Sequence, residues 1–230
     1  MMRYSMIFII LWVILICHLP LPVCAEQTQS PSDNDVHFIW SFGAIKNTQN
    51  SKFVPVSEDM TLETGDKIKF LIELKEKCFV YLLYHSSQDE LSALFPFRFN
   101  SMQEDYPALE RFYIPEGVLW FELDKHLGKE TIYLLASDSR LTDLENLINI
   151  YESTDETKKK TISQKIISKI KALRKQHTDL RAAPERPINI AGNKRSVVKT
   201  INTDIDHLLQ NAVEIKADNF YFRTYTIDHK

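Results

Sequence analysis

Tyr81–Pro96 reads Tyr-Leu-Leu-Tyr-His-Ser-Ser-Gln-Asp-Glu-Leu-Ser-Ala-Leu-Phe-Pro. Two apolar runs flank a short polar turn, the pattern of a β-hairpin. In the first run, Phe79, Tyr81 and Leu83 are apolar, and so are Val80, Leu82 and Tyr84. Both faces of that strand need cover, which places it inside a sheet rather than at its edge. Its partner across the turn is Leu91–Phe95, and Pro96 ends the ladder because proline has no N–H to donate.

Upstream of the hairpin, Lys67–Leu74 alternates cleanly. Ile68, Phe70, Ile72 and Leu74 point one way, Lys67, Lys69 and Glu73 the other. This predicts a strand with one buried and one wet face, as in an antiparallel sheet. Glu63-Thr64-Gly65-Asp66 before it reads as a turn. Earlier still, Phe38, Trp40 and Phe42 alternate with Ile39 and Ser41, a first strand with Gly43 near its end.

Downstream, Phe97–Glu110 is a polar, irregular loop, of a length that is often functional. Phe112-Tyr113-Ile114 is a short strand, turned by Pro115-Glu116-Gly117. Val118–Leu123 and Thr131–Ala136 read as two more strands, joined through Asp124–Glu130 with Gly128 in the turn. The period then changes. Leu141, Leu144, Ile148 and Tyr151 predict a helix that Ser139 or Thr142 would cap. Ser153-Thr154-Asp155 breaks it, and Ile162, Ile166, Ile170 and Leu173 predict a second helix. Ala182–Arg195 is loop-like and Asp204–Leu209 a short helical turn. Asn219–Asp228 returns to β-type residues and is expected to rejoin the main sheet, since alone it could not bury Phe220, Tyr221, Phe222 and Tyr225.

Seven or eight strands, mostly in hairpin order, predict a mainly β (α+β) fold. Its form is an antiparallel β-sandwich with a two-helix insertion, at about 139–178, before the last strand.

The N-terminus reads as an export signal. Arg3 precedes Met6–Cys17, an unbroken apolar run of h-region length, and Pro20 and Pro22 end any helix. Val23-Cys24-Ala25 fits a cleavage site, with the cut between Ala25 and Glu26. The run is short for a span of roughly 20 residues. A retained anchor and lipidation at Cys24 are the alternatives, the latter opposed by Val23, where a small residue is wanted. The organisation is therefore signal 1–25, flexible polar leader 26–35 and one domain 36–230, exported and most simply periplasmic.

An apolar content of 44% and a charged content of 26% are those of an ordinary globular chain. A net charge of −3, with export, argues against nucleic acid as a partner. Five glycines leave little room for a phosphate-cradling loop. Once the signal is removed, Cys78 is the one remaining cysteine, so no internal disulfide forms, and its apolar neighbours predict simple packing.

Several of these segments resemble one family. They are Phe38-Ile39-Trp40-Ser41-Phe42-Gly43-Ala44, Thr64-Gly65-Asp66-Lys67-Ile68-Lys69-Phe70, Tyr81–Pro96, Tyr113-Ile114-Pro115-Glu116-Gly117 and Glu130-Thr131-Ile132-Tyr133-Leu134-Leu135-Ala136-Ser137. The set is similar to the bacterial domain-of-unknown-function 4384 family, over roughly Val36–Arg140. Similar domains accompany caspase-like peptidases or protein kinases, or stand alone behind signal peptides. The resemblance implies a β-rich accessory or sensing module and carries over no catalytic residue.

Direct inspection for chemistry agrees. There is no Gly-x-Ser-x-Gly, His-Glu-x-x-His or Cys-x-x-Cys. His37, His85, His126, His177, His207 and His229 are scattered without metal-ligand spacing, and Asp206-His207 and Asp228-His229 read as exposed turn pairs. No catalytic residue, metal site or cofactor is expected. Glu104, Asp105, Glu110 and Glu116 line the long loop and the turn after it, and are the only carboxylate set from which a hydrolase site at 97–117 would be built. The second helix is strongly basic. Lys165, Lys169, Arg174 and Lys175 are the candidate contacts to an anionic surface or polymer, while a solvated lysine face on a docked amphipathic helix explains the same residues. The expected function is a non-catalytic exported accessory or binding module of the cell envelope, with an unidentified protein or envelope polymer as partner and at most peripheral membrane contact. The alternatives are the loop hydrolase and a structural envelope component held by the basic helix.

Overall fold

The computed structural model describes residues 35–48, 52–97, 109–177, 185–187 and 203–230. The signal, its cleavage residues Ala25 and Glu26, Cys24, most of the leader, and Glu104 and Asp105 of the long loop lie outside the described residues.

Two sheets form. In the first, β1 (Asp35–Lys46) lies between β4 (Lys67–Leu74) and β11 (Val213–Asp218). The short β2 (Lys52–Pro55) pairs with the far half of β1, and β10 (Glu185–Pro187) pairs with β11. On the other side of β4, β7 (Arg111–Ile114) pairs with Phe70–Glu73 and the two-residue β8 (Phe121–Glu122) with Lys67 and Ile68. The second sheet runs β3 (Met60–Leu62), β12 (Phe220–His229), β9 (Gly128–Ser137), β5 (Phe79–His85), β6 (Leu91–Phe95). All these pairings are antiparallel except β3 with β12.

The predicted hairpin is β5–β6, and β5 lies inside its sheet as its two apolar faces require. One face, Val80 and Leu82, meets the first sheet in a core that includes Phe38, Trp40, Phe70 and Tyr225. Trp40 Nε1 donates to the Tyr225 hydroxyl at 2.7 Å across that core, so the one polar edge of the indole is satisfied where it is buried. The other face, Tyr81 and Leu83, is covered by α1 (Thr142–Glu152) and α2 (Glu156–Gln176) through Leu144, Ile148, Ile166 and Ile170. Each such apolar side chain, removed from water, contributes about 1.5–3 kcal/mol. A smaller cluster, Ile39, Leu71, Leu208 and Ala212, seats α3 (Thr203–Gln210) on the outside of the first sheet. Among the described residues no helix is long and apolar enough to cross a membrane.

Four expectations need correction. Lys69 and Glu73 are buried, so the polar face of β4 is not wet. Val118–Leu123 contracts to Phe121–Glu122, because Lys69 draws the preceding residues out of the ladder. Neither Ser139 nor Thr142 caps α1. Its N-cap is Leu141, without a side-chain cap, and the Leu141 N–H is held instead by the Tyr81 hydroxyl at 3.0 Å. Finally there are twelve described strands, and β10, α3 and β11 separate the two helices from the last strand. The predicted return of that strand to a main sheet holds: β12 pairs with β9 along its full length.

Candidate functional site

Three features converge beside β4 and the end of the hairpin. The first is a clamped loop. Between β7 and β8 the chain leaves the ladder for six residues, 115–120, and Lys69 enters the space behind it. The Lys69 ammonium donates to the carbonyls of Pro115 (2.6 Å), Gly117 (3.0 Å) and Leu119 (2.5 Å), which uses all three of its hydrogens. The Tyr113 and Trp120 rings each lie 5.9 Å from the nitrogen. Burial pushes the ammonium down to about 8. Gly117 takes φ +64°, a left-handed conformation that glycine adopts without strain. Four residues along the same face of β4, the buried Glu73 carboxylate is paired with Lys75 and Arg111. Burial opposes its charge, but hydrogen bonds from those two cations outweigh burial and hold it below the usual carboxylate range. The loop they support turns Val118 and Leu119 outward, 68% and 66% exposed, with Phe121 beside them.

The second feature is a cleft of about 260 Å³ on the open side of the sandwich, between β8 and β6. Ile68, Leu94, Phe121 and Leu123 make its walls, and Tyr84, Ser92 and Asp124 contribute polar atoms. The hairpin therefore contributes to a candidate site through its far end, although its body is core. Burial raises the Tyr84 hydroxyl above its ordinary range, and the Glu130 and Asp124 carboxylates raise it further.

The third feature is a chain of side chains, buried at Glu130 and His229 and reaching the surface at Thr64. His229 Nδ1 lies 3.1 Å from Glu130 Oε1, and His229 Nε2 lies 3.2 Å from Thr64 Oγ1. Acid, imidazole and hydroxyl in line resemble a nucleophile triad. The surroundings favour a structural tie instead. The Thr64 hydroxyl donates to the Asp124 carbonyl (2.9 Å), not toward the imidazole. The nearby backbone N–H groups of Thr64, Gly65 and Asp66 bond to Lys230, Leu123 and Glu63, so none is left to stabilise an oxyanion. The chain binds the end of β12 to the turn before β4. His229 is 2% exposed, which corrects its reading as part of an exposed turn.

Sequence patterning missed this group because its members are far apart in the chain and individually unremarked: a lysine in an alternating strand, a glutamate at a strand start and the penultimate residue. The one signal available was that Lys69 and Glu73 share the polar face of a strand otherwise flanked by core.

The other anticipated residues lie elsewhere. On α2, Lys165 and Lys175 are exposed, Lys169 pairs with Asp143 at 2.6 Å, and Arg174 lies over the Phe222 ring. The isoleucine face of the same helix is docked on the second sheet. Cys78 is buried, its sulfur directed to the His37 carbonyl and not to an imidazole, and burial pushes the thiol up to about 11. Glu110 and Glu116 are exposed. His37 lies between Glu76 and Glu214, His126 pairs with Asp124, His85 lies 3.7 Å from Asp89, and His177 and His207 stack on Phe220 and Phe53. Among the described residues no three His, Cys, Asp or Glu side chains gather around a potential metal position.

Residues 61–140 match the family model described as Domain of unknown function (DUF4384). That segment runs from β3 to β9 and contributes strands to both sheets, while β1, β12 and the helices fall outside it. No curated protein and no solved structure matches the chain.

Proposed function

We propose, from the premise that this chain carries a DUF4384 domain over residues 61–140, that it is an exported, non-catalytic binding module of the cell envelope that docks a protein partner through the loop 117–121. The observation that carries this reading is the clamp. A fully buried lysine spends its three hydrogen bonds on holding one loop, and that loop presents Val118 and Leu119 to solvent. Exposed apolar side chains on a fixed backbone suit docking, because little conformational entropy is lost when a partner covers them. Export rests on the signal pattern at Met1–Ala25. The test is co-purification from envelope extracts. Val118→Ser with Leu119→Ser should remove a specific partner that the unaltered protein retains, with thermal stability unchanged. Equal recovery by both proteins contradicts the docking role.

A second reading is supported by α2, which carries eight basic residues and one acidic. Here the helix holds the protein to an anionic surface or polymer through Lys165, Lys169, Arg174 and Lys175, as a structural component. Charge reversal at these four positions should shift the protein from envelope to soluble fractions, and unchanged fractionation rules this reading out.

A further inference from the structure

The open side of the sandwich lies between two sheet margins. β6 is the last strand of the second sheet, and β8 pairs with β4 at the margin of the first. Where Phe95 and Phe112 meet, 5.1 Å between ring centroids, the margins are joined. Toward Ser92 and Phe121 the cleft of about 260 Å³ separates them. Ile68, Leu94 and Phe121 give it apolar walls. The Tyr84 hydroxyl is hydrogen-bonded to Glu130, so its hydrogen is spent inside the fold. The rim differs from the walls. Glu122 and Asp124 line the cleft with side chains 61% and 63% exposed, within reach of anything that enters. The charge of Glu90 acts on Tyr84 from the hairpin turn as well. Lys67 (3.4 Å from Glu122) and His126 (2.6 Å from Asp124) balance part of this charge, and each carboxylate keeps lone pairs for a further donor. Phe121 belongs both to the cleft and to the loop 117–121, so the two surfaces share a wall.

We infer that this cleft is the anchor socket of the docking surface: it takes one aromatic side chain of the protein partner, while an arginine or lysine beside that side chain pairs with Glu122 and Asp124 on the rim. The identity of the occupant as a partner protein rests on the docking role of the loop 117–121; the socket itself is tested without a partner. At roughly 30 Å³ for each water-sized group, the cleft has room for roughly eight or nine heavy atoms. That suits the side chain of a phenylalanine. Apolar walls favour such a side chain in proportion to the area they cover, and an aromatic anchor in a pocket is where an interface concentrates its affinity. Two exposed carboxylates beside the anchor select a cation and reject an acid, and salt weakens that selection.

The test is a two-dimensional amide NMR titration of the exported protein with N-acetyl-phenylalanyl-arginine amide. The dipeptide should move the resonances of Ser92, Leu94, Phe121 and Leu123. Alanine in place of its phenylalanine should weaken binding about tenfold or more. Glutamate in place of its arginine should weaken binding about fivefold at low salt, and the difference should shrink as salt is added. Ser92→Phe fills the cleft from an exposed position and should abolish the shifts while the thermal midpoint holds. Glu122→Lys, also at an exposed position, should remove the preference for arginine over glutamate. Ser92→Phe should further lose, from envelope extracts, the partner that Val118→Ser with Leu119→Ser loses. If the loop variant loses a partner that Ser92→Phe retains, the socket is overturned and the docking loop stands. If the dipeptides behave as expected while neither variant loses a partner, the docking loop is overturned and the socket stands. Equal affinity for the arginine and glutamate dipeptides, or n-propylbenzene binding as tightly as the arginine dipeptide, assigns a simple apolar ligand and overturns the inference. Shifts of the same amides on raising the protein concentration alone assign the cleft to a second copy of this chain and overturn it too.

Discussion

Lys69→Met tests the clamp. The substitution keeps an apolar stem of similar length and removes the ammonium. Three charge-assisted bonds to carbonyls are lost, each worth about 1.5–3 kcal/mol net. Against this, the variant no longer buries a charge. The fall of the Lys69 ammonium from 10.5 to about 8 places that relief at about 3 kcal/mol. Gly117 and Leu119 are exposed, so water partly replaces the lost donor at their carbonyls. The variant should therefore be less stable by about 2–4 kcal/mol at pH 7, read as a lower urea midpoint at unchanged slope. The pH dependence has a definite sign. Between pH 8 and 10.5 the unfolded chain still holds a proton that the folded protein has released, so the native state gains stability as pH rises through this window. Below pH 8 both states are protonated and the penalty is fully present. Lys69→Met should remove this rise. A variant as stable as the unaltered protein at pH 7, or the same slope in both proteins from pH 8 to 10.5, refutes the clamp.

Tyr81→Phe should lower stability by about 2–3 kcal/mol in the same assay, because the Tyr81 hydroxyl donates to Glu145 at 2.6 Å and holds the Leu141 N–H, the first bond buried and the second half-buried; a loss below 0.5 kcal/mol counts against that role. A fragment of residues 61–140 should show no cooperative thermal unfolding, since β4 loses β1, while β3 and β9 lose β12; a sharp transition would show that the matched segment folds alone. Cys78 should react with a maleimide at pH 7 about 100-fold more slowly in the folded protein than in urea, because burial both shields the thiol and raises it; fast labelling of the native state contradicts this.

The parts of the fold that were legible are those where one residue reports on one surface. Doubly apolar Phe79–Tyr84 required cover on both faces and received it, from the first sheet and from two helices. The Ile166–Ile170–Leu173 spacing gave the docked face of α2. Short strands were less legible: β2, β3 and β10 have three or four residues, too few to establish a period. β11 does alternate, Val213, Ile215 and Ala217 against Glu214, Lys216 and Asp218, but no turn signal isolates its start from α3. The face of β4 was misleading because alternation reports polarity, and polarity implies exposure only where no loop folds back over it. Lys69 and Glu73 found their partners in the loop and in Arg111, about 40 residues on, and nothing local announces such pairing. The candidate site was illegible for the same reason: Thr64, Tyr84, Glu130 and His229 meet only through sheet register.

The docking loop is tested most directly by photo-crosslinking in intact envelopes. A photoreactive residue placed at Leu119, on the clamped loop, should give one discrete adduct that disappears with Val118→Ser; the same probe at Glu152, at the end of α1, should give none. No adduct from position 119, or the same adducts from both positions, would contradict a docking surface at this loop.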